Sequence, residues 1–188
     1  MFLTLGFKSV TMDDIAAELG ISKKTIYQYY ANKNELVEAS TANLFETISY
    51  GVDTIREQGN NAVEEMFAIR RFMMQQLHNE SAAPMYQLQK FFPKISACLR
   101  VKQFGKMHGC MVDNLQKGIE TGLYRADLNI EFISRIYFTG LVGIKDNEIF
   151  PPNMFEISAA TKLYLEYHIR GIATEKGLKI LSHAIEKY

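Results

Sequence analysis

The stretch Thr11-Met12-Asp13-Asp14-Ile15-Ala16-Ala17-Glu18-Leu19-Gly20-Ile21-Ser22-Lys23-Lys24-Thr25-Ile26-Tyr27-Gln28-Tyr29-Tyr30 reads as two short helices joined at Gly20-Ile21. Thr11 with Asp14 three residues later has the form of a capping box, in which side chains and backbone of the first turn satisfy each other's free donors. Ile15, Ala16 and Leu19 then share one apolar face, and Gly20 stands where a left-handed backbone ends a helix without steric penalty. Ser22 is a second N-cap. The helix after it turns Ile26 and Tyr30, four residues apart, inward. Two short helices about such a turn form a helix-turn-helix.

Outward from this stretch the pattern stays helical. Asn32 with Glu35 is a third cap signal, opening a longer helix with Leu36, Leu44, Ile48, Val52 and Ile55 on one side. Prolines at 84, 93, 151 and 152 punctuate the chain and leave long helices between them. Val63, Met66, Phe67, Met73, Met74 and Leu77 mark one helix, ending before Pro84. Met85 to Phe92 is a short piece, and Ile95, Leu99, Met111, Leu115 and Ile119 mark a long helix ending at Gly122. Asn129 to about Lys145, Met154 to about Gly171 and a last stretch to Tyr188 follow, with Asp146 to Asn153 as a loop. Strand-like alternation is scarce and no repeat is visible, so the fold class is all-α with a boundary near residue 50.

Composition narrows the function. The 188 residues carry 21 Lys+Arg against 21 Asp+Glu, and this neutrality excludes a broadly basic nucleic-acid coat protein. It leaves room for a small local reading surface. A hydrophobic content of 47% excludes a disordered chain, and two cysteines exclude a disulfide-dense scaffold or a four-cysteine zinc module. Met1-Phe2-Leu3-Thr4-Leu5-Gly6-Phe7 lacks the basic start and cleavage site of a signal peptide. The longest apolar stretch, Phe132 to Ile144, is interrupted by Ser134 and Arg135 and too short to span a bilayer. The expectation is a soluble, cytoplasmic protein with no membrane contact.

The second short helix carries the chemistry. A helix entering a major groove, roughly 12 Å wide, needs short polar and basic residues outward and a few apolar anchors inward. Lys23, Lys24, Thr25, Gln28 and Tyr29 point outward on a helix anchored by Ile26 and Tyr30, although Tyr29, three residues after Ile26, lies near the core face. Ser22 suits a phosphate or base edge. A solvated helix face is the plainer alternative for Lys23, Lys24 and Lys33. Against it, no acid lies between Gly20 and Lys33, and the three lysines sit on a helix-turn-helix frame.

Gly6-Phe7, Thr11-Met12 through Ile15-Ala16, Leu19-Gly20-Ile21-Ser22, Thr25-Ile26-Tyr27 with Tyr29-Tyr30, and Lys33 with Glu35-Leu36 together resemble the DNA-binding domain of TetR-family transcriptional regulators over about residues 2 to 45. The resemblance implies an N-terminal helix-turn-helix DNA-binding domain at 1–48 and a C-terminal helical effector-binding and dimerisation domain at 49–188. It implies a homodimer, usually a repressor, that a small-molecule effector releases from double-stranded operator DNA. It places Thr11 and Lys33 on phosphate and Lys23, Lys24, Thr25, Tyr27, Gln28 and Tyr29 on bases or backbone. We expect Thr11, Tyr27 and Lys33 to set register, and Lys23, Lys24, Thr25 and Gln28 to choose bases. Met1 to Leu5 resembles only the end of the family's first helix, which would leave that helix truncated. Gly118 to Gly122, with Leu123-Tyr124-Arg125-Ala126-Asp127, resembles a turn ahead of the family's dimerisation helices. The competing reading is a helical small-molecule-binding or interaction protein that has lost DNA binding.

The second domain yields coarser expectations. Methionine and phenylalanine abound from Phe67 to Met111, and such residues are core unless they line an apolar pocket. The expected pocket comprises Phe67, Arg70, Met74, His78, Phe104, His108 and Met111. Ile136, Gly140, Ile144, Tyr164, His168 and Ile172 are expected at a two-fold interface, with internal packing as the alternative. His108 and Cys110, two apart on a helix, diverge too far to share a metal ion. No catalytic motif appears, so no enzyme activity, cofactor or metal is expected.

Overall fold

The computed structural model describes residues 1–76 and 83–188. They form α1 (Phe2–Leu5), α2 (Met12–Leu19), α3 (Lys23–Tyr29), α4 (Lys33–Glu57), α5 (Ala62–Gln76), α6 (Ala83–Phe91), α7 (Pro93–Glu120), α8 (Ile130–Gly143), α9 (Ile157–Ile172) and α10 (Glu175–Lys187). The only strand-like pairing among them is one isolated antiparallel bridge between Tyr124 and Ala173. No described helix is long and apolar enough to cross a membrane.

The first three caps are local chemistry. The Thr11 hydroxyl accepts from the Asp14 backbone N–H at 3.1 Å, and the Asp14 carboxylate accepts from the Thr11 N–H at 2.8 Å. Gly20 adopts φ +64° and ends α2, its N–H donating to the carbonyl of Ala17 and that of Ile21 to Ala16. That pair of bonds is the Schellman arrangement. Ser22 caps α3 through the Thr25 N–H at 3.1 Å. Asn32 caps α4 by accepting from the Glu35 N–H at 3.1 Å, and the Glu35 carboxylate accepts from the Asn32 side-chain amide at 3.2 Å. Replacing Thr11 with Ala should cost about 1 kcal/mol of stability. Urea unfolding checks this, and Thr11→Ser should retain most of the cap.

The chain divides into two compact units. One comprises Met1–Thr47 and Glu80–Gln103, the other Ile48–Asn79 and Phe104–Tyr188. The N-terminal unit therefore gains α6 and the start of α7 relative to the 1–48 boundary expected from sequence. Packing is the reason. Phe7, Val37, Leu88 and Leu99 form one buried cluster, and the Gln87 side chain lies where a Cβ on Gly6 would be, accepting from the Lys8 N–H at 3.0 Å. Gly6 has φ +89°, which suits only glycine. A second cluster joins Val10, Met12, Ile15, Ala16 and Ile26 beneath the helix-turn-helix. Leu19, expected on that face, is instead 62% exposed.

The second unit has a core of its own, including Phe67, Leu115, Tyr124, Leu165, Ile169 and Leu181. Glu65 is buried there without strain. It accepts from Asn114 at 2.8 Å and Lys117 at 2.9 Å, and Asn114 in turn accepts from the Tyr124 hydroxyl at 3.2 Å. Asp53 and Arg56 in the last turns of α4 pair with Lys106 and Asp113 of α7. Sequence reading missed both networks, because each joins positions some fifty residues apart.

Candidate functional site

The helix-turn-helix presents two kinds of side chain. Ile26 is buried and fixes α3, leaving Lys24, Tyr27, Gln28 and Tyr29 in solvent. Tyr29 is 78% exposed, so its expected position near the core face is corrected: at the last helical residue before Tyr30 it points outward. Lys23 is also exposed, but its ammonium lies 2.8 Å from the Asp13 carboxylate, whose hydrogen bond raises the lysine pKa.

The remaining expected contacts are already engaged within the unit. The Ser22 and Thr25 hydroxyls lie 2.8 Å apart. The Thr11 hydroxyl donates to Asp14 at 2.8 Å, and the Thr11 backbone N–H is the main reason the Asp14 carboxyl sits below its usual range. Lys33 donates to the Lys8 carbonyl at 3.1 Å with Phe92 beneath it, and desolvation pulls its pKa down. Thr11, Ser22, Thr25 and Lys33 thus hold the helices in place, whereas Lys24, Tyr27, Gln28 and Tyr29 offer free side-chain groups. Asp13 and Lys8, which sequence reading passed over, are partners of this surface.

In the second unit the expected pocket residues do not form one group. Phe67 and Met111 are buried in the core. Phe104 and His108 have ring centroids 5.4 Å apart beside α8, where His108 Nε2 is 2.9 Å from Glu131. Arg70 and Met74 face α9: Arg70 donates to the Ser158 carbonyl, and the Thr161 hydroxyl donates to the Met74 sulfur at 3.9 Å. His78 lies outside the described residues.

The expected interface set is corrected in the same way. Ile144, His168 and Ile172 are buried within their own unit. Gly140 is filled by the Tyr164 ring, whose hydroxyl donates to the carbonyls of Ile136 at 3.0 Å and Tyr137 at 3.1 Å. Gly140, Tyr164 and His168 lie in the seam between α8 and α9 of one chain. Periodicity marks an apolar face but does not say which partner covers it. Of the six, Ile136 is exposed, in company with Phe132, Leu163 and Tyr167.

His168 is 7% exposed, its ring lies 4.7 Å from that of Tyr137, and Nε2 has no hydrogen-bond partner among the described residues. Burial pushes its pKa from 6.5 down to about 4. The folded state therefore refuses a proton that the unfolded chain accepts. Its contribution to stability is complete above about pH 6.5 and drains away as pH falls towards 4. The loss amounts to about 3 kcal/mol. The urea midpoint of the wild type should fall relative to that of His168→Phe as pH drops through that window, whereas a difference independent of pH would contradict the assignment.

Residues 1–40 match the sequence pattern of "Bacterial regulatory proteins, tetR family". The HTH-type transcriptional repressor KstR2 of Mycobacterium tuberculosis is 27% identical over 143 residues, covering 72% of this chain and 69% of KstR2. The solved structure of the ketosteroid transcriptional regulator KstR2 of Mycobacterium tuberculosis shares the fold at TM-score 0.61 and 22% identity, over 93% of this chain and 90% of that one. A TetR-family transcriptional regulator from Agrobacterium tumefaciens does so at TM-score 0.72 and 14% identity, over 92% of each chain. With a helix-turn-helix built and exposed as described, the chain is similar to TetR-family transcriptional regulators in the sequence of its first forty residues and in its fold.

Proposed function

We propose that the protein is a cytoplasmic repressor that lays α3 of each protomer of a homodimer into the major groove of a two-fold operator and leaves it when a small molecule binds the second unit. The observation that carries this reading is the exposed set Lys24, Tyr27, Gln28 and Tyr29 on a helix locked by Ile26. Lys24 and Gln28 are suited to base edges, and Tyr27 to phosphate, with Lys33, Thr11 and the Ser22–Thr25 pair fixing the register of the helices. Relatives named as transcriptional repressors support the sign of the response. The alternative of a helical protein that has lost DNA binding is not favoured, because residues 1–40 match the tetR-family pattern and the outward side chains of α3 are exposed.

The exposed pairs Phe132 with Ile136 and Leu163 with Tyr167, each four residues apart on α8 and α9, are the surface we assign to a second copy of this chain. α4 has residues in both units and is the element through which effector binding alters the spacing of the two reading helices. An effector does this only by its differential affinity for the two arrangements. Footprinting on the DNA flanking the protein's own gene tests the proposal. The expected result is two symmetric protected half-sites separated by about one helical turn or somewhat more. Protection of a single half-site, or none, would contradict it.

A further inference from the structure

The positive charge of the N-terminal unit comes from outside the helix-turn-helix. Residues 1–47 carry four lysines against six acids, so that segment is net negative, the wrong sign for a polyanion. Residues 80–103, the other part of the same unit, carry four cations against one acid, and no Asp or Glu occurs from Ser81 to Val112. Lys90 of α6 and Lys94, Arg100 and Lys102 of α7 are all exposed. Of the unit's cations, Lys23 alone has a carboxylate partner among the described residues.

Packing gathers one of these charges with two from the N-terminal segment. Gln87 of α6 accepts from the Lys8 N–H at 3.0 Å and so seats α6 on the turn between α1 and α2. The Lys8 ammonium lies 4.6 Å from the centre of the Phe91 ring, and the Lys90 ammonium lies 5.8 Å from the same centre. That keeps the two charges within roughly one Debye length of each other in 0.1 M salt. Lys33, the first residue of α4, donates to the Lys8 carbonyl at 3.1 Å and lies 5.9 Å from the centre of the Phe92 ring. Three ammonium groups therefore surround two adjacent phenylalanines at the edge of the helix-turn-helix. Like charges gathered in this way repel one another, and an exposed ring face returns only about 0.5–1 kcal/mol to each. A row of phosphates supplies the missing anions, and each one neutralised releases bound counterions. Lys33 makes the cluster continuous with the surface that carries α3, which favours the DNA backbone over any other polyanion.

We propose that Lys8 and Lys90, together with Lys33, form a phosphate-binding surface that grips the duplex backbone beside the half-site read by α3. This rests on the DNA-binding reading above and extends it from the helix-turn-helix to α6.

Anisotropy titrations of the full chain on the footprinted operator and on a scrambled duplex, at several salt concentrations, test the proposal. Lys8→Gln/Lys90→Gln should weaken binding to both duplexes alike and shrink the slope of log affinity against log salt by about two. Each single substitution should account for about one, which keeps the test decisive should the double variant misfold. Lys8→Arg/Lys90→Arg keeps both charges and should keep the wild-type slope. Lys179→Gln removes a charge from an exposed lysine of the second unit and should leave the slope unchanged. An unchanged slope in the Gln variants, or the same loss per charge in Lys179→Gln, would overturn the proposal while leaving the repressor reading intact. Tighter binding of the wild type to polyglutamate than to either duplex would also overturn it and assign the surface to an acidic protein. A wild type that binds neither duplex would overturn the repressor reading and this proposal together.

Discussion

Gly118→Ala should destabilise the second unit by about 3 kcal/mol, although alanine ordinarily strengthens a helix. Gly118 lies in α7, and a Cβ there would overlap the ring of Tyr124. The ring has nowhere to go. Tyr124 is fully buried, its hydroxyl is bonded to Asn114 at 3.2 Å, and its N–H donates to the Gly118 carbonyl at 2.9 Å. Behind it the chain is pinned by the bridge to Ala173 and by the Arg125 N–H on the Ile172 carbonyl at 2.9 Å. Gly109, in the same helix, supplies the control because a Cβ there meets open space. Gly109→Ala should be stabilising by up to about 1 kcal/mol, the ordinary difference in helix propensity. Opposite signs in the two urea midpoints are the expected result. The same sign in both would mean that the Tyr124 turn does not hold the unit together.

The second large effect falls on DNA. Gln28→Ala should relax discrimination at one operator position by about tenfold to a hundredfold, and Lys24→Ala should do so at another. Lys33→Ala should act differently. It removes a positive charge from the edge of the surface, so binding should weaken alike for every sequence and the slope of log affinity against log salt should shrink by about one. Anisotropy titrations on a set of single-base operator variants at several salt concentrations separate the two patterns. A uniform loss from Gln28→Ala would reassign that residue from bases to backbone.

The three caps at Thr11, Ser22 and Asn32 were legible in the sequence because each is complete within four residues. So were the long helices between prolines, with α7 starting at Pro93 itself. Which apolar face meets which was not legible. Leu19 shares a face with Ile15 by spacing yet stays exposed, and His168, Ile144 and Ile172 are buried within their own unit. The attachment of α6 to the N-terminal unit depends on Gly6 and Gln87, eighty-one positions apart, a pairing that no local pattern announces. Charge was half legible. The acid-free window from Gly20 to Lys33 does hold the surface, but Lys23 leans on Asp13 from the preceding helix and Lys33 on the Lys8 carbonyl, leaving Lys24 as the lysine with no hydrogen-bond partner among the described residues.

The central claim is that α3 reads sequence. Its most direct test is the affinity of the wild-type chain and of Tyr27→Ala for the footprinted operator and for a scrambled duplex of the same composition, at one fixed salt concentration. The wild type should prefer the operator by about a thousandfold or more. Tyr27→Ala should weaken binding to both duplexes by about tenfold. Equal wild-type affinity for the two duplexes, or a Tyr27→Ala variant indistinguishable from wild type, would contradict the account.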